Sequence, residues 1–511
     1  MTDDYSAFLE DAAHYPGGHA SGIVFPRSTE DVADALRSSG PTLPIGAQSS
    51  LTGGATPMGE RILSTAKLTG IEIGGGRVTV GAGVTVAAMQ DALTQTGAWF
   101  PPAPTFTGAC AGGIVATNAA GAATFKYGSV RRWVDALTVV LADGTTLDLV
   151  RGRTHATGGR FVVETKSGPV DVPVPTYDMP PVAKRSAGYH AEPGMDLIDL
   201  FIGSEGTLGV ITRVTFRTLE PAPNIVLAFV PCPDEAQAIA LAGRIRDASK
   251  HTWSSAAGSG IDASAIEHMD HRSLQIVRED GADRRCNVTI PDSARIALLV
   301  QIELSANVDA ARAFDEIQSS LSGETADTGL AAFCRELDRA GVLADTQIAL
   351  PHDNRRVGEL LAIREAVPAG VNRRIGQAKA AADDRIEKTA ADMVVPFERF
   401  GEMMAVYRDG FAARDLDYAI WGHISDGNVH PNVIARSFAD VVAGKAAILE
   451  FGKAAARLGG CPLAEHGVGR NPVKQQLLRQ LYGERGIEQM RAVKRALDPD
   501  WKLSPGVIFL R

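Results

Sequence analysis

The stretch Trp421-Gly422-His423-Ile424-Ser425-Asp426-Gly427-Asn428-Val429-His430-Pro431-Asn432 sets two histidines around an Asp-Gly pair. Asp-Gly between short apolar runs predicts a two-residue hairpin turn, because type I′ geometry needs positive φ at both central residues. With Asp426 and Gly427 at the turn, Ser425 faces Asn428, Ile424 faces Val429, and His423 faces His430. Opposed residues have Cβ atoms roughly 4.5–5.5 Å apart, near enough for two imidazoles to share a metal ion. A third ligand is on offer in Leu463-Ala464-Glu465-His466-Gly467. Two histidines and one carboxylate with a vacant position suit a catalytic metal site. The plainer alternative is a polar cross-strand pair with no ion, and spacing alone leaves both open.

Elements that would position these groups are legible on either side. Ser28-Thr29-Glu30-Asp31 opens a helix through Ala33, Ala35 and Leu36, with Ser28 as N-cap. Leu43-Pro44-Ile45 reads as a strand running into the loop 46–54, and Arg77 to Gly81 as another strand. A helix from Val86 to Leu93 is stopped by Gly97, and Leu137 to Leu149 alternates around Asp143-Gly144 as a second hairpin. Residues 151–195, rich in Gly, Pro and Thr, predict a long surface excursion. Beyond Pro221-Ala222-Pro223, strand-like runs (Ile225 to Val230, Arg295 to Leu304) alternate with helices (Asp234 to Ala248, Asp309 to Leu321), an α+β pattern. The tail is helical around Gln475 to Leu497 and ends in Asp498-Pro499.

At 511 residues the chain exceeds one ordinary core, so two or three domains are expected. A composition of 45% hydrophobic and 22% charged residues is that of a soluble globular protein. A net charge of −9 without a long basic run argues against nucleic acid as the main partner. The five cysteines are scattered and form no CxxC pair, so neither a disulfide framework nor a cysteine-ligated cluster is indicated. A reducing cytoplasm fits best. No signal peptide layout and no bilayer-length apolar run is found, while peripheral membrane attachment through a surface patch stays open.

Two glycine-rich segments mark the first half: Gly46 to Gly54, and Pro101 through Pro104, Thr105, Gly108, Gly112, Gly113 and Asn118 to Gly121. Neither fits GxGxxG between a strand and a helix, which leaves a nicotinamide site with weak support. Glycine lets the backbone approach a ligand closely, and successive N–H groups in such turns form anion-binding concavities. Ser49, Ser50, Thr52 and Thr105 add hydroxyl donors. A pyrophosphate held by backbone and hydroxyls suits a dinucleotide; tight turns in a glycine-rich protein are the alternative.

Taken together, the ordered motifs resemble one family. Pro44-Ile45-Gly46-Ala47-Gln48-Ser49-Ser50-Leu51-Thr52-Gly53-Gly54-Ala55 resembles the first flavin loop of the vanillyl-alcohol-oxidase-type (PCMH-type) FAD fold. Gly112 to Gly121, followed by Lys126-Tyr127-Gly128, is similar to the second loop. Gly203-Ser204-Glu205-Gly206-Thr207-Leu208-Gly209-Val210-Ile211-Thr212 is similar to the third. The Gly-His…Asp-Gly-Asn…His and Glu-His-Gly motifs resemble FAD-linked dehydrogenases of D-2-hydroxy acids: D-lactate, glycolate and D-2-hydroxyglutarate dehydrogenases.

The resemblance spans essentially the whole chain. It implies an α+β protein with a PCMH-type FAD-binding domain (1–221), an inserted α+β substrate or cap domain (222–455) and a C-terminal helical segment (456–511) completing the site. It places the FAD pyrophosphate on Ile45, Gly46, Ala47, Gln48, Ser49, Ser50, Thr52 and Gly53 and on Pro104 to Gly121. The isoalloxazine is expected near Glu205, Gly206, Gly209 and Ile211. Ser49 stands where covalent members often carry histidine, which implies non-covalent FAD.

The same resemblance assigns a divalent metal to His423, His430 and Glu465 and the general base to His466. Zinc suits two imidazoles and a carboxylate, with manganese and iron(II) as alternatives. Glu465 and His466 can both serve only if the backbone there is not a regular strand, since successive side chains would point apart. Arg364 resembles the family's carboxylate-binding arginine, against the alternative of a solvated helix face. Lys388 is similar to a lysine that approaches substrate in some relatives. Asn432 is placed to hydrogen-bond the substrate or merely to finish a strand. Gln48-Ser49 replaces the more common Gly-Thr, and Ser425 replaces a usual glycine, which points to a subfamily with its own substrate.

The expected reaction is oxidation of a D-2-hydroxy acid, D-lactate-like, to the 2-oxo acid. The expected partners are that small molecule and an external electron acceptor such as a quinone, cytochrome or electron-transfer flavoprotein. Oligomeric state is left open, a homodimer included. Two competitors are an alkyl-dihydroxyacetonephosphate-synthase-like transferase, which uses flavin without net oxidation, and a non-catalytic electron-relay subunit.

Overall fold

The computed structural model describes residues 5–38, 40–102, 106–255, 260–321 and 328–511. The chain divides into two compact units. The first comprises Met1–Gly121, Gly128–Glu220 and Cys461–Arg511; the second comprises Ala122–Tyr127 and Pro221–Gly460.

The first unit combines a short parallel sheet with a larger antiparallel one. In the former, Arg61–Ser64 lies between Gly22–Val24 and Thr42–Ile45. The latter runs, among the described residues, Ile71–Gly74, Arg77–Gly81, Val210–Arg217, Val134–Val140, Thr146–Val150. Alternation drives this sheet, since Val78 and Val80 are fully buried while Thr79 between them keeps partial exposure. Phe100 and Phe216 pack at 4.6 Å between ring centroids in the same core. The helix Thr29–Arg37 begins at Ser28 with a full capping box to Asp31, as the sequence predicts. Val86–Thr94 and the hairpin around Asp143-Gly144 also form where expected, the latter with Gly144 at φ +78°. The C-terminal helix Pro472–Leu497 is interrupted at Gly483, whose φ of +66° is not helical.

Residues 151–195 are not the surface excursion that their composition predicts. Arg160–Thr165 and Gly168–Pro173 pair as a hairpin, and Lys184, Ala187 and Tyr189 are completely buried. The segment lacks periodicity because, past the hairpin, it is irregular backbone; packing from neighbouring elements buries it rather than any pattern of its own.

The second unit is built on an antiparallel sheet. Among the described residues its order is Gln347–Ala349, Asn224–Cys232, Ile296–Leu304, Ala263–Met269, Tyr418–His423, Asn428–Val433, Thr389–Ala390, with Met393–Val394 also on Asn428–Val433. The strands Ala263–Met269 and Asn428–Val433 are buried throughout, so their sequences show no apolar–polar alternation. Helices Glu235–Ser254 and Asn354–Ala381 belong to this unit, the first capped by Asp234 and the second by Asp353. Among the described residues no helix is long and apolar enough to cross a membrane.

Candidate active site

In the first unit, backbone loops enclose a cleft of about 310 Å³. The strand Thr42–Ile45 delivers the chain into the loop from Gly46, and the short helix Ala111–Ala116 opens on the opposite segment. Ile45, Gly46, Ala47, Gln48, Ser49, Ser50 and Thr52 line the cleft, together with Gly112, Gly113, Glu205, Gly206, Gly209 and Ile211. Four other expected cofactor residues do not. Gly53 lies at φ +73°, where a Cβ would meet the Tyr15 ring at 2.5 Å, and a Cβ on Gly108 would meet Phe106 at the same distance. Asn118, at φ +48°, accepts a hydrogen bond from the Arg131 N–H and shapes a turn, and Gly121 is buried outside the lining. Pro104 and Thr105 lie outside the described residues.

The lining fits a phosphate-bearing dinucleotide. The N–H groups of Gln48, Ser49 and Gly113 have no acceptor among the described residues. A Cβ on Gly113 would meet no protein atom within 4 Å, so the bare backbone keeps that wall of the cleft open. Gly112 serves packing instead, since its Cβ would stand 2.7 Å from that of Ala82.

The C-terminal segment completes the cleft. Glu465 and His466 are both part of its lining, the first buried and the second half-buried. Their backbone is irregular and Gly467 has φ +72°, which lets consecutive side chains share one cavity. Glu205 clamps the segment by accepting the Val468 and Gly469 N–H groups, each at 2.8 Å. A Cβ on Gly467 would approach the Glu205 carboxyl at 2.9 Å, and one on Gly469 would strike Thr52 at 2.2 Å, so both glycines permit close approach. Burial pushes the Glu205 carboxyl up to about 7, against the lowering effect of those two N–H groups and of Lys474. Lys184, fully buried, pairs with Glu465 at 2.6 Å, and the Ser186 hydroxyl donates to the Glu465 carbonyl at 3.3 Å.

In the second unit the two histidines sit on adjacent strands, but the predicted register is wrong. His423 opposes Asn428 and His430 opposes Trp421, because Ile424–Asp426 form a 3-10 turn instead of continuing the strand. Ser425 holds that turn out of the ladder. Its hydroxyl accepts the Ile266 N–H at 3.3 Å, and its carbonyl accepts from the Arg246 guanidinium at 2.8 Å. Only Gly427 adopts the left-handed conformation, with φ +75°. The histidines become diagonal neighbours on one face, with ring centroids 5.6 Å apart.

Each imidazole has a carboxylate at Nδ1. His423 Nδ1 is 2.6 Å from Glu267, and His430 Nδ1 is 3.4 Å from Asp392. Asp392 also accepts from the Asn428 amide at 3.2 Å. The Glu267 carboxylate hydrogen-bonded at His423 Nδ1 fixes the tautomer that leaves the His423 Nε2 lone pair available for a metal, whereas the longer His430–Asp392 contact is not a hydrogen bond. Arg364, on helix Asn354–Ala381, is nearly buried and binds Glu267 through Nε at 3.2 Å and Glu365 through a terminal nitrogen at 2.9 Å. Lys388 is exposed, though surrounding protein atoms lower its ammonium pKa by desolvation. The Asn432 amide donates to the His430 carbonyl at 2.8 Å, while its buried Oδ1 finds no donor among the described residues.

Sequence reasoning missed Glu267, Asp392 and Lys184. Glu267 had a usable signal, because a Glu-His pair inside the apolar run Ala263–Met269 demands buried partners. Lys184 lay in a segment without periodicity and had none.

The cleft walled by three backbone loops, with a glutamate–histidine pair among its lining, has the make-up of a flavin site, and the matches of the chain make it that of a flavin-dependent oxidoreductase. Residues 20–149 match the model of an FAD binding domain, and residues 223–508 match the model of FAD linked oxidases, C-terminal domain. The chain belongs to the FAD-linked oxidase family. It is 27% identical to a D-lactate dehydrogenase of Archaeoglobus fulgidus, over 95% of this chain and 90% of that protein. It is 28% identical to the mitochondrial D-2-hydroxyglutarate dehydrogenase of Bos taurus (96% and 76%) and 27% identical to the glycolate oxidase subunit GlcD of Bacillus subtilis (96% and 89%). Among solved structures, alkyldihydroxyacetonephosphate synthase aligns with a TM-score of 0.58 at 14% identity, covering 94% of this chain and 75% of that one. That last likeness concerns the fold alone.

Proposed function

We propose that the protein oxidises a D-2-hydroxy acid to the 2-oxo acid, with non-covalent FAD as oxidant and an external acceptor for the electrons. The observation that carries this reading is that Glu465 and His466 line the same cleft as the loops around Gly46, Gly113 and Gly206. The relatives' names add a shared substrate class, since lactate, 2-hydroxyglutarate and glycolate are all 2-hydroxy carboxylates.

The oxidation breaks the hydroxyl O–H and the Cα–H bond and forms the C=O bond. One proton leaves from oxygen, and a hydride carrying two electrons leaves from carbon. FAD supplies the two-electron acceptor for that hydride. His466 takes the hydroxyl proton as general base, a role an imidazole fills near neutral pH. Arg364 binds the substrate carboxylate with Lys388 as a second cation, and Asn432 Oδ1, a buried acceptor, receives a substrate hydrogen bond. His423, His430 and Glu465 would hold a divalent ion, zinc by ligand set with manganese or iron(II) as alternatives, which supplies Lewis-acid polarisation of the hydroxyl. In this reading residues 1–221 and 456–511 carry FAD, and residues 222–455 shape the substrate site. Electrons then pass to a quinone, a cytochrome or an electron-transfer flavoprotein.

The test is anaerobic mixing of the metal-replete flavoprotein with D- and L-2-hydroxy acids, watching the oxidised flavin band. Bleaching by D-acids alone, abolished by chelation and restored by metal, is the expected result. An unbleached flavin with every hydroxy acid sinks the reading. Turnover of acyl-dihydroxyacetone phosphate without an acceptor would then point to the transferase chemistry.

A further inference from the structure

We infer that Glu267 is a positioning residue that sets His423 and Arg364 together, so that ion binding and substrate binding depend on one carboxylate. The inference rests on the proposed roles of those two residues. Glu267 lies on the strand Ala263–Met269 directly opposite His423 on Tyr418–His423. Its two oxygens serve different partners. Oε1 takes the His423 Nδ1 at 2.6 Å, and Oε2 takes the Arg364 Nε at 3.2 Å.

The surroundings leave the carboxylate little freedom. Glu267 is 7% exposed in a strand buried along its whole length. The preceding residue is pinned as well, since the Ile266 N–H donates to the Ser425 hydroxyl. Arg364 comes from the helix Asn354–Ala381, so Glu267 joins a helix-borne cation to a strand-borne imidazole. A buried acid in a sheet core is costly unless both oxygens are satisfied, and here the satisfying groups are two residues assigned to chemistry. Accepting from Nδ1–H holds the His423 ring in the tautomer whose Nε2 faces a ligand. Accepting from Arg364 Nε–H fixes the plane of the guanidinium, and that plane decides whether a carboxylate can be met by two parallel hydrogen bonds.

Glu267→Gln separates these functions from bulk packing. The amide keeps the shape and one acceptor for His423, but its NH2 group replaces the acceptor that Arg364 needs. In the FAD-loaded protein we expect metal affinity, measured by competition with a chromogenic chelator, to fall about 10–100-fold. KM for the hydroxy acid should rise about 10-fold. Glu267→Gln and Arg364→Gln should be strongly non-additive in KM, because the first acts through the second. Glu267→Asp, which retains the charge, should recover part of both losses and serves if the glutamine variant does not fold. Unchanged metal affinity together with an additive effect on KM would overturn the inference. Wild-type protein that neither retains a divalent metal nor oxidises any hydroxy acid would instead remove the functional reading, and this inference with it.

Discussion

The two units hold chemistry in different ways. The first lines its cleft mainly with backbone, in glycine-bearing loops where a side chain would collide or would fill the space. The second presents side chains from rigid neighbouring strands, each histidine backed by a carboxylate. Backbone N–H groups recognise a phosphate whatever residues surround them, so a loop can hold a cofactor with little side-chain chemistry. A reacting centre needs tautomer and orientation fixed, which only a supporting layer of side chains provides. The first unit should therefore be sensitive to added bulk, and the second to lost hydrogen bonds.

The largest expected effect comes from His466, which lines the first unit's cleft and is the proposed general base. His466→Ala should reduce the rate of flavin bleaching by hydroxy acid about 10²–10⁴-fold while FAD content is unchanged. Flavin that is not bleached by hydroxy acid in the wild type, but relays electrons equally well in the wild type and in this variant, would favour the relay alternative. Paired glycine variants sharpen the contrast next. Gly112→Ala places a Cβ 2.7 Å from Ala82 and should cost about 1–3 kcal/mol in denaturant unfolding. Gly113→Ala meets no protein atom and should leave the FAD-free protein as stable or about 0.5–1 kcal/mol more so, while FAD titration shows weakened binding. Equal effects at the two positions would erase the distinction between packing and cradle glycines.

In the second unit, Asn428→Ala removes donors to Asp392 and to the Met393 carbonyl, at 3.2 and 2.9 Å. The expected cost is about 1–3 kcal/mol, with metal affinity reduced through the loosened Asp392. The pH dependence separates the units by sign, since they should move oppositely. Glu205 is pushed up to about 7 from 4.5, so the native state keeps its proton to higher pH than the unfolded chain. Its contribution is full below about 4.5 and is lost as pH rises through about 7. His268, pushed down to about 4 from 6.5 by burial, contributes above about 6.5 and loses that contribution as pH falls through about 4. Melting temperatures of the FAD-free protein across this range, compared with Glu205→Gln and His268→Leu, check both signs.

Much of the scaffold was legible because local rules decide it. Ser28 with Asp31 caps a helix through its own side chains, and the Asp143-Gly144 hairpin follows from turn chemistry. The ordered glycine motifs carried the family because they are short, contiguous and backbone-driven. What escaped the sequence was set by distant contacts. The His423–His430 register depended on Arg246 and Ile266 gripping Ser425, which no local pattern encodes. Lys184 and Glu267 act on residues roughly 280 and 156 positions along the chain, and their importance exists only once the chain has folded.

The first unit is discontinuous in sequence, and that has a consequence for how the protein is made. Glu465, His466 and Gly469, which close the cleft against Glu205 and Thr52, are synthesised after the whole of Pro221–Gly460. At a ribosomal pace of about 5–20 residues per second, the glycine loops wait on the order of 20–80 s for their last wall. The second unit, continuous apart from Ala122–Tyr127, can collapse during that delay. The complete wall of the cleft therefore exists only after Gly469 has been made, so the cleft can close on a cofactor only after the second unit has been synthesised.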